Sequence, residues 1–374
     1  MSATDFIYAV GDIAPDRPAA EECFALIREN LTRANFVFGQ LETSLTALGT
    51  RLPQARHAVR TSPQVAEVLR DANFGVISCA GNHCMDWGTE ALLDTIDHLG
   101  RVGIEVVGAG PDIQAARRAV VREVQGTHVA FLAYSSILPQ NYWAESHRAG
   151  CAPARAWTLY EQIEPDQPGT AARIQTFAHA EDLRALQADI RATRERADVV
   201  IVSLHWGIHF VPAVIADYQR DFGRAAIDAG ADAVIGHHAH ILKGAELYRD
   251  RPIFYSIGNF AVDLRIDAAH AASKSFREIQ QLHPGWEPDF ESLYNFPEDS
   301  RKTLIVRLTF GSQRLRAVHA LPAWINRNAQ PRLLASTQGE FEQVRAYLNQ
   351  ISASAQLNGQ FVADGDALRL QARA

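Results

Sequence analysis

Fourteen histidines are spread through this 374-residue sequence, and three of them fall within four positions, in Gly236-His237-His238-Ala239-His240. Three imidazoles so close together are hard to explain by packing, and they directly follow the apolar run Ala233-Val234-Ile235. The same placement recurs elsewhere. Asp12 follows Phe6–Val10, Glu42 follows Phe38-Gly39-Gln40-Leu41, Asn82 and His83 follow Cys79-Ala80-Gly81, and His205 ends Val199–Leu204. Taken singly, each has a bland reading. An Asp after a strand is usually a turn residue or helix cap, Asn is common in turns, and a lone His is usually a hydrogen-bonded imidazole. Taken together, five strands each deliver an oxygen or nitrogen donor at the carboxyl end, the rim where open α/β sheets bind ligands. Carboxylates, an amide and imidazoles without thiolate suit Mn²⁺, Fe²⁺, Zn²⁺ or Mg²⁺. Two such ions about 3.5–4 Å apart need a bridging carboxylate and further ligands, and they lower the pKa of water for attack. A histidine left off the metals can then protonate a leaving group.

Other candidates are weaker. His209 could join the ligands if its segment were helical. His57, His98, His128, His147, His179, His270, His283 and His319 have no such context and are expected at the surface or in hydrogen bonds. Arg60, before Thr61-Ser62-Pro63, is a candidate anion contact, because a guanidinium suits carboxylate or phosphate; the alternative is a solvated loop cation. Trp206 and Trp87 are candidate pocket walls.

Positioning these residues requires an α/β fold. Strands are expected at Phe6–Val10, Asn35–Gly39, Gly75–Cys79, Ile104–Val107, Val120–Val124, His128–Tyr134, Asp198–Leu204, Ala233–Ile235, Ile253–Ser256, Leu304–Phe310 and Leu315–Ala320. Helices are expected at Ala19–Arg33, Pro63–Asp71, Thr89–Val102, Ala180–Arg196 and Ala216–Ala229. Residues 137–177 and 262–299 break the alternation and are rich in aromatics and prolines; long irregular segments of this kind are often covers over a site. The tail 331–374 reads as a helix at Gln338–Leu348 followed by surface coil. One domain over residues 1–374 is expected.

Composition excludes several classes. Apolar residues at 47% and charged ones at 21% are ordinary for a chain with a sizeable core. A net charge of −7 without basic blocks is unsuited to nucleic acid, whose affinity comes from Lys and Arg displacing counterions. Cys23, Cys79, Cys84 and Cys151 lack zinc-ribbon spacing and are too few for a disulfide scaffold, so free thiols in a reducing compartment are expected. The opening residues read as a strand rather than a leader, and no apolar stretch is long enough for a membrane span. The cytoplasm is the expected location.

With these motifs in view, the sequence resembles the CapA-like (poly-γ-glutamate capsule biosynthesis type) family of the calcineurin-like metallophosphoesterase superfamily. The residues carrying the resemblance are Gly11-Asp12-Ile13, Leu41-Glu42-Thr43, Gly81-Asn82-His83-Cys84-Met85-Asp86-Trp87-Gly88 and Gly108-Ala109-Gly110. They continue in family order with His205-Trp206-Gly207, Gly236-His237-His238-Ala239-His240 and Tyr255-Ser256-Ile257-Gly258-Asn259-Phe260. The resemblance implies two mixed β-sheets in a sandwich flanked by helices. It also implies two divalent ions, Mn, Zn or Fe. Asp12 and His240 would hold one, Glu42 would bridge, and Asn82, His205 and His238 would hold the second. His83 would stand over the substrate as general acid or oxyanion stabiliser, oriented by Asp86. Ala14 stands where the wider superfamily has a histidine, which leaves the first position short of a ligand unless water or His237 fills it. Glu42 replaces the superfamily's usual Asp.

Two functions from different classes follow. One is a metal-dependent hydrolase of a phosphoester or an amide of γ-glutamyl type, with Arg60 and Trp206 as substrate contacts. The other is a non-hydrolytic protein that binds or assembles an anionic polymer of poly-γ-glutamate type. The substrate is a small molecule or such a polymer, and the sequence leaves the oligomeric state open.

Overall fold

The computed structural model describes residues 5–373. Two large mixed sheets face one another, as the α/β expectation requires. In the first, Phe6–Ala14, Val37–Leu41, Phe74–Ser78 and Glu105–Val107 run parallel. Lys302–Phe310 joins the other side of Phe6–Ala14 antiparallel, followed by Leu315–Ile325 and a C-terminal hairpin, Gly359–Asp364 and Ala367–Ala372. In the second sheet, Thr127–Ser135, Val199–His205, Ala233–His237 and Arg251–Phe254 are parallel, with Val120–Val124 and Ala245–Tyr248 antiparallel at the edges.

The apolar runs of the second sheet are buried on both faces, which is why they read as continuous rather than alternating. Val129, Phe131 and Ala133 join Val199 and Ile201 in the core shared with the first sheet. The residues between them, Ala130, Leu132, Tyr134, Val200, Val202 and Leu204, pack with Leu186, Ile190, Phe222 and Ala226. These last four lie on helices Ala180–Arg194 and Asp217–Asp228, which cover the outer face.

Several expectations are corrected. Ala19–Arg33 is not one helix: a 3-10 turn at Ala20–Phe24 and a single helical turn at Arg28–Leu31 replace it. Neither start has a side-chain cap, yet Cys23, Phe24, Ile27 and Leu31 are all buried, so short turns suffice to seat them. The first strand runs on to Ala14 because Asn259–Val262 pairs beside it, Asp12 opposite Asn259. A Cβ on Gly11 would lie 2.0 Å from the Gly258 carbonyl oxygen, so only glycine permits that approach. The tail is not coil after its helix: helix Gly339–Ser354 leads into the hairpin that extends the first sheet. Phe361 and Leu368 of that hairpin are fully buried. Within 137–177, a second hairpin, Ala156–Gln162 with Ala172–Ala178, stands apart as its own two-stranded sheet. All four cysteines are free and buried, as expected. No helix among the described residues is long and apolar enough to cross a membrane.

Candidate metal centre

The candidate residues converge because three strands of the first sheet and two of the second end at the same edge of the sandwich. Asp12 lies near the end of Phe6–Ala14, Glu42 just after Val37–Leu41, and Asn82 in the loop after Phe74–Ser78. His205 and His237 are the last residues of their strands. His238 and His240 then turn back with φ of +85° and +56°, a conformation that costs about 1–3 kcal/mol each and tends to persist at functional sites. The turn points the His238 backbone N–H at Asp12 Oδ2, 3.2 Å away.

Asp12, Glu42 and His205 are all buried and each offers a donor atom within 4.8 Å of the others, forming a possible metal site. His205 is the junction. Its Nδ1 lies 3.4 Å from Glu42 Oε1, while its Nε2 lies 2.7 Å from Asn82 Oδ1 and 3.1 Å from His238 Nδ1. Asn82 Oδ1 is also 3.2 Å from His238 Nδ1. On the other side of Asp12, His237 Nδ1 stands 3.2 Å from Oδ1 and His240 Nδ1 3.5 Å from Oδ2. The sequence therefore pointed to residues that do meet, although His237 was offered only as a substitute.

The electrostatics of this cluster fit a bound cation. Asp12 and Glu42 are 0% and 3% exposed, and among the described residues neither is paired with Lys or Arg. Burial, reinforced by the Asp12 charge, holds the Glu42 carboxyl well above the usual range. Burial pushes His205 and His238 well below 6.5, which leaves them as neutral imidazoles, the ligating form. Glu42 Oε2, His205 Nδ1 and His237 Nε2 are buried without hydrogen-bond partners; unpaired buried polar atoms are costly and divalent ions would satisfy them. Gly81 keeps the space open, since a Cβ there would lie 2.9 Å from Glu42 Oε1.

His83 Nδ1 is 2.6 Å from Asp86 Oδ2. Asp86 is fixed in turn by the Tyr142 hydroxyl, which donates to Oδ1 at 3.0 Å, and by the Val59 N–H at 3.3 Å. His83 faces a cleft of about 790 Å³, also lined by Glu42, Asn82, His238, His240, Ala14 and the segment from Val262 to Phe296. From residues 137–177 only Ile137, Pro139 and Gln140 reach that cleft.

The two substrate-contact candidates are not brought there. Trp206 is fully buried, stacked on Tyr255 at 5.7 Å, with its indole N–H donating to the Tyr255 carbonyl at 2.9 Å. Strand alternation turns it to the helix side, away from His205. Arg60 lies 3.8 Å over the Trp87 ring and outside the cleft lining. Conversely, His57 and His270 do line the cleft. Their rings stack at 5.7 Å, with His57 edge-on to His83 at 6.3 Å. His209 enters without a helix, its ring 3.9 Å from His238 and 5.0 Å from His240. Gln40 and Asn259 escaped notice in the sequence. Gln40 Nε2 donates to Glu42 Oε1 at 3.2 Å, and Asn259 Oδ1 lies 2.8 Å from His240 Nδ1. Asn259 sits in a motif carrying the family resemblance, which was the available signal; nothing singled out Gln40.

Two facing mixed sheets with a buried carboxylate–imidazole cluster at their strand ends define an α/β protein of metallophosphoesterase-like fold. Over residues 6–264 the sequence matches the family described as bacterial capsule synthesis protein PGA_cap, and the chain belongs to that family. The PGA biosynthesis protein CapA of Bacillus subtilis (strain 168) is 28% identical over 251 residues, covering 66% of this chain and 58% of that protein. A probable polyglutamine synthesis accessory protein of Mycobacterium tuberculosis (strain ATCC 25618 / H37Rv) is 30% identical over 268 residues, 70% of this chain and 63% of that one. The chain thus spans less than two thirds of these relatives' lengths. A hypothetical protein from Thermus thermophilus of known structure is similar with a TM-score of 0.46 and 16% identity, covering 88% of this chain and 98% of that one.

Proposed function

We propose that the chain is a metal-dependent hydrolase with an accessory role in capsule or polyglutamate-type biosynthesis, acting on a phosphoester or an amide of γ-glutamyl type. The reading rests chiefly on one observation: two buried carboxylates, Asp12 and Glu42, converge with neutral His205 and no Lys or Arg compensates them among the described residues. Asp12 and His240 would hold one divalent ion, Asn82, His205 and His238 a second, and the Glu42 carboxyl would serve both. When bound, Mn, Zn or Fe would supply Lewis acidity and ionise water near neutral pH. The chain's own part is to hold neutral imidazoles and the Asp12 and Glu42 side chains in place. His83 carries a proton to the leaving oxygen or nitrogen from Nε2, while Asp86 holds Nδ1–H and fixes the ring.

The test is turnover by the Mn²⁺-loaded protein of a phosphoester and of a γ-glutamyl amide, compared with Asp12→Asn. Turnover of either by the wild type, lost in the variant, is expected; turnover of neither overturns the reading. The second reading, a non-hydrolytic polymer-binding protein in the cytoplasm, is favoured by Ala14, which contributes no ligand. Metal-free protein that binds poly-γ-glutamate as well as the loaded form, and a His238→Ala variant that does the same, would support it over the first.

A further inference from the structure

We propose that the substrate carries an uncharged, ring-sized apolar group beside the bond that reacts, and that it is not a polyanion. This rests on the hydrolase reading above and names its substrate class. A polyanion needs a row of cations along its path, yet Arg56 is the single Lys or Arg among the described lining residues, and it is already paired with Glu278. The other charged lining groups, Glu42, Asp86 and Asp263, are acidic, and Asp263 is already paired with Arg17 behind the wall. Bound divalent ions would balance the acids at the floor and receive one anionic head. They would leave nothing for further charges along the cleft.

The opposite wall is apolar. Ile266, Phe276 and Trp286 are buried with Phe210 and anchor the 262–299 segment to the histidine-bearing loop, so they are explained as a small core. In front of them remain Leu264, Ile279 and Phe296, half-buried, and Leu282, which is 45% exposed. All four line the cleft. The Phe296 ring lies 5.1 Å from the His240 ring, so the apolar surface begins next to the candidate metal ligands. A cleft of about 790 Å³ has the capacity of a small-molecule site, apolar with a few convergent polar groups. The Arg56–Glu278 pair and the His57–His270 stack join the two sides of its mouth, which suits an enclosed small substrate better than a threaded chain.

The test compares ligands that share one head. Calorimetry on the Mn²⁺-loaded full chain would measure benzylphosphonate, methylphosphonate and a γ-glutamyl decamer. Benzylphosphonate is expected to bind at least about tenfold tighter than methylphosphonate, as burial of a ring predicts. Leu282→Ser and Ile279→Ser, neutral changes at the cleft wall and away from the candidate metal ligands, should bring benzylphosphonate affinity down to that of methylphosphonate. Equal binding of the two phosphonates, binding of neither, a preference untouched by both variants, or tighter binding of the decamer would each overturn the proposal. Turnover of 1-naphthyl phosphate and of a γ-glutamyl naphthylamide is read separately. Preference without turnover removes the hydrolase reading alone, and turnover without preference removes the apolar-substrate proposal alone.

Discussion

Asn82 Oδ1 and His205 Nε2 lie 2.7 Å apart although 123 positions separate them in the chain. Asn82 hangs from a strand end of the first sheet and His205 ends a strand of the second, so their contact exists only because the two sheets face each other in this register. His205 also reaches Glu42 from its other ring nitrogen. One imidazole therefore ties both halves of the candidate centre together.

Glu42→Gln keeps the side-chain shape and removes one of two buried carboxylates. Because the Glu42 pKa is raised in the folded protein by burial and Asp12, the folded state holds that proton longer than the unfolded chain does. Metal-free wild type must then lose stability as pH rises above the ordinary Glu range, with the slope set by the protons bound in each state. The variant should lack that loss, and its metal-free melting temperature should equal or exceed that of the wild type at pH 8. It should also lose the rise in melting temperature that Mn²⁺ gives the wild type. Thermal melts across pH 5–8 with and without metal check both.

Lys243 titrates in the opposite sense. It is 2% exposed, has no carboxylate partner among the described residues, and donates to the carbonyls of Val211 and Val214. Burial pulls its pKa down to about 7. Between that value and the unfolded pKa the unfolded chain binds the extra proton, so stability from this site grows as pH rises above 7 and is absent below it. The difference in unfolding free energy between wild type and Lys243→Met should shift toward the wild type from pH 7 to pH 10. A flat difference across that range contradicts the assignment.

His83→Ala should lower turnover roughly 10²- to 10⁴-fold, the range for loss of a general acid, with bound metal unchanged. Asp86→Asn should cost less, since it loosens the ring that Asp86 holds at 2.6 Å without removing the proton carrier. Metal analysis alongside steady-state rates separates this from a ligand role; loss of metal in His83→Ala would reassign the residue.

Phe361 tests the C-terminal hairpin. Its ring is fully buried and lies 6.4 Å from Phe254 of the second sheet. Phe361→Ala should destabilise the protein by about 3–5 kcal/mol. A change under about 0.5 kcal/mol, the usual range for a surface site, would mean that the hairpin is not part of the core. Urea unfolding gives the number.

What the sequence revealed and what it hid have physical causes. The parallel strands were legible because burial on both faces writes unbroken apolar runs such as Val199–Val202. The donors were legible because each sits at a run's carboxyl end. Asn259–Val262 was hidden because a four-residue strand gives little periodicity, and the hairpin from Gly359 because Gly-Gln-Phe-Val-Ala-Asp alternates only weakly. Trp206 illustrates the commonest error: adjacency to His205 in sequence means opposite faces in a strand. His57 and His270, expected from sequence at the surface or in hydrogen bonds, meet on the cleft wall, His57 from a loop and His270 from the single helical turn Ala268–Ala271.

If the strand-end cluster holds divalent ions, they can be counted. Mn²⁺ titration of the purified chain, with bound metal measured after removal of free ion, should give two ions per wild-type chain. Glu42→Gln and His205→Ala should each give fewer while remaining folded by circular dichroism. A wild-type chain that binds no ion at saturating Mn²⁺, Zn²⁺ or Fe²⁺ would contradict the account.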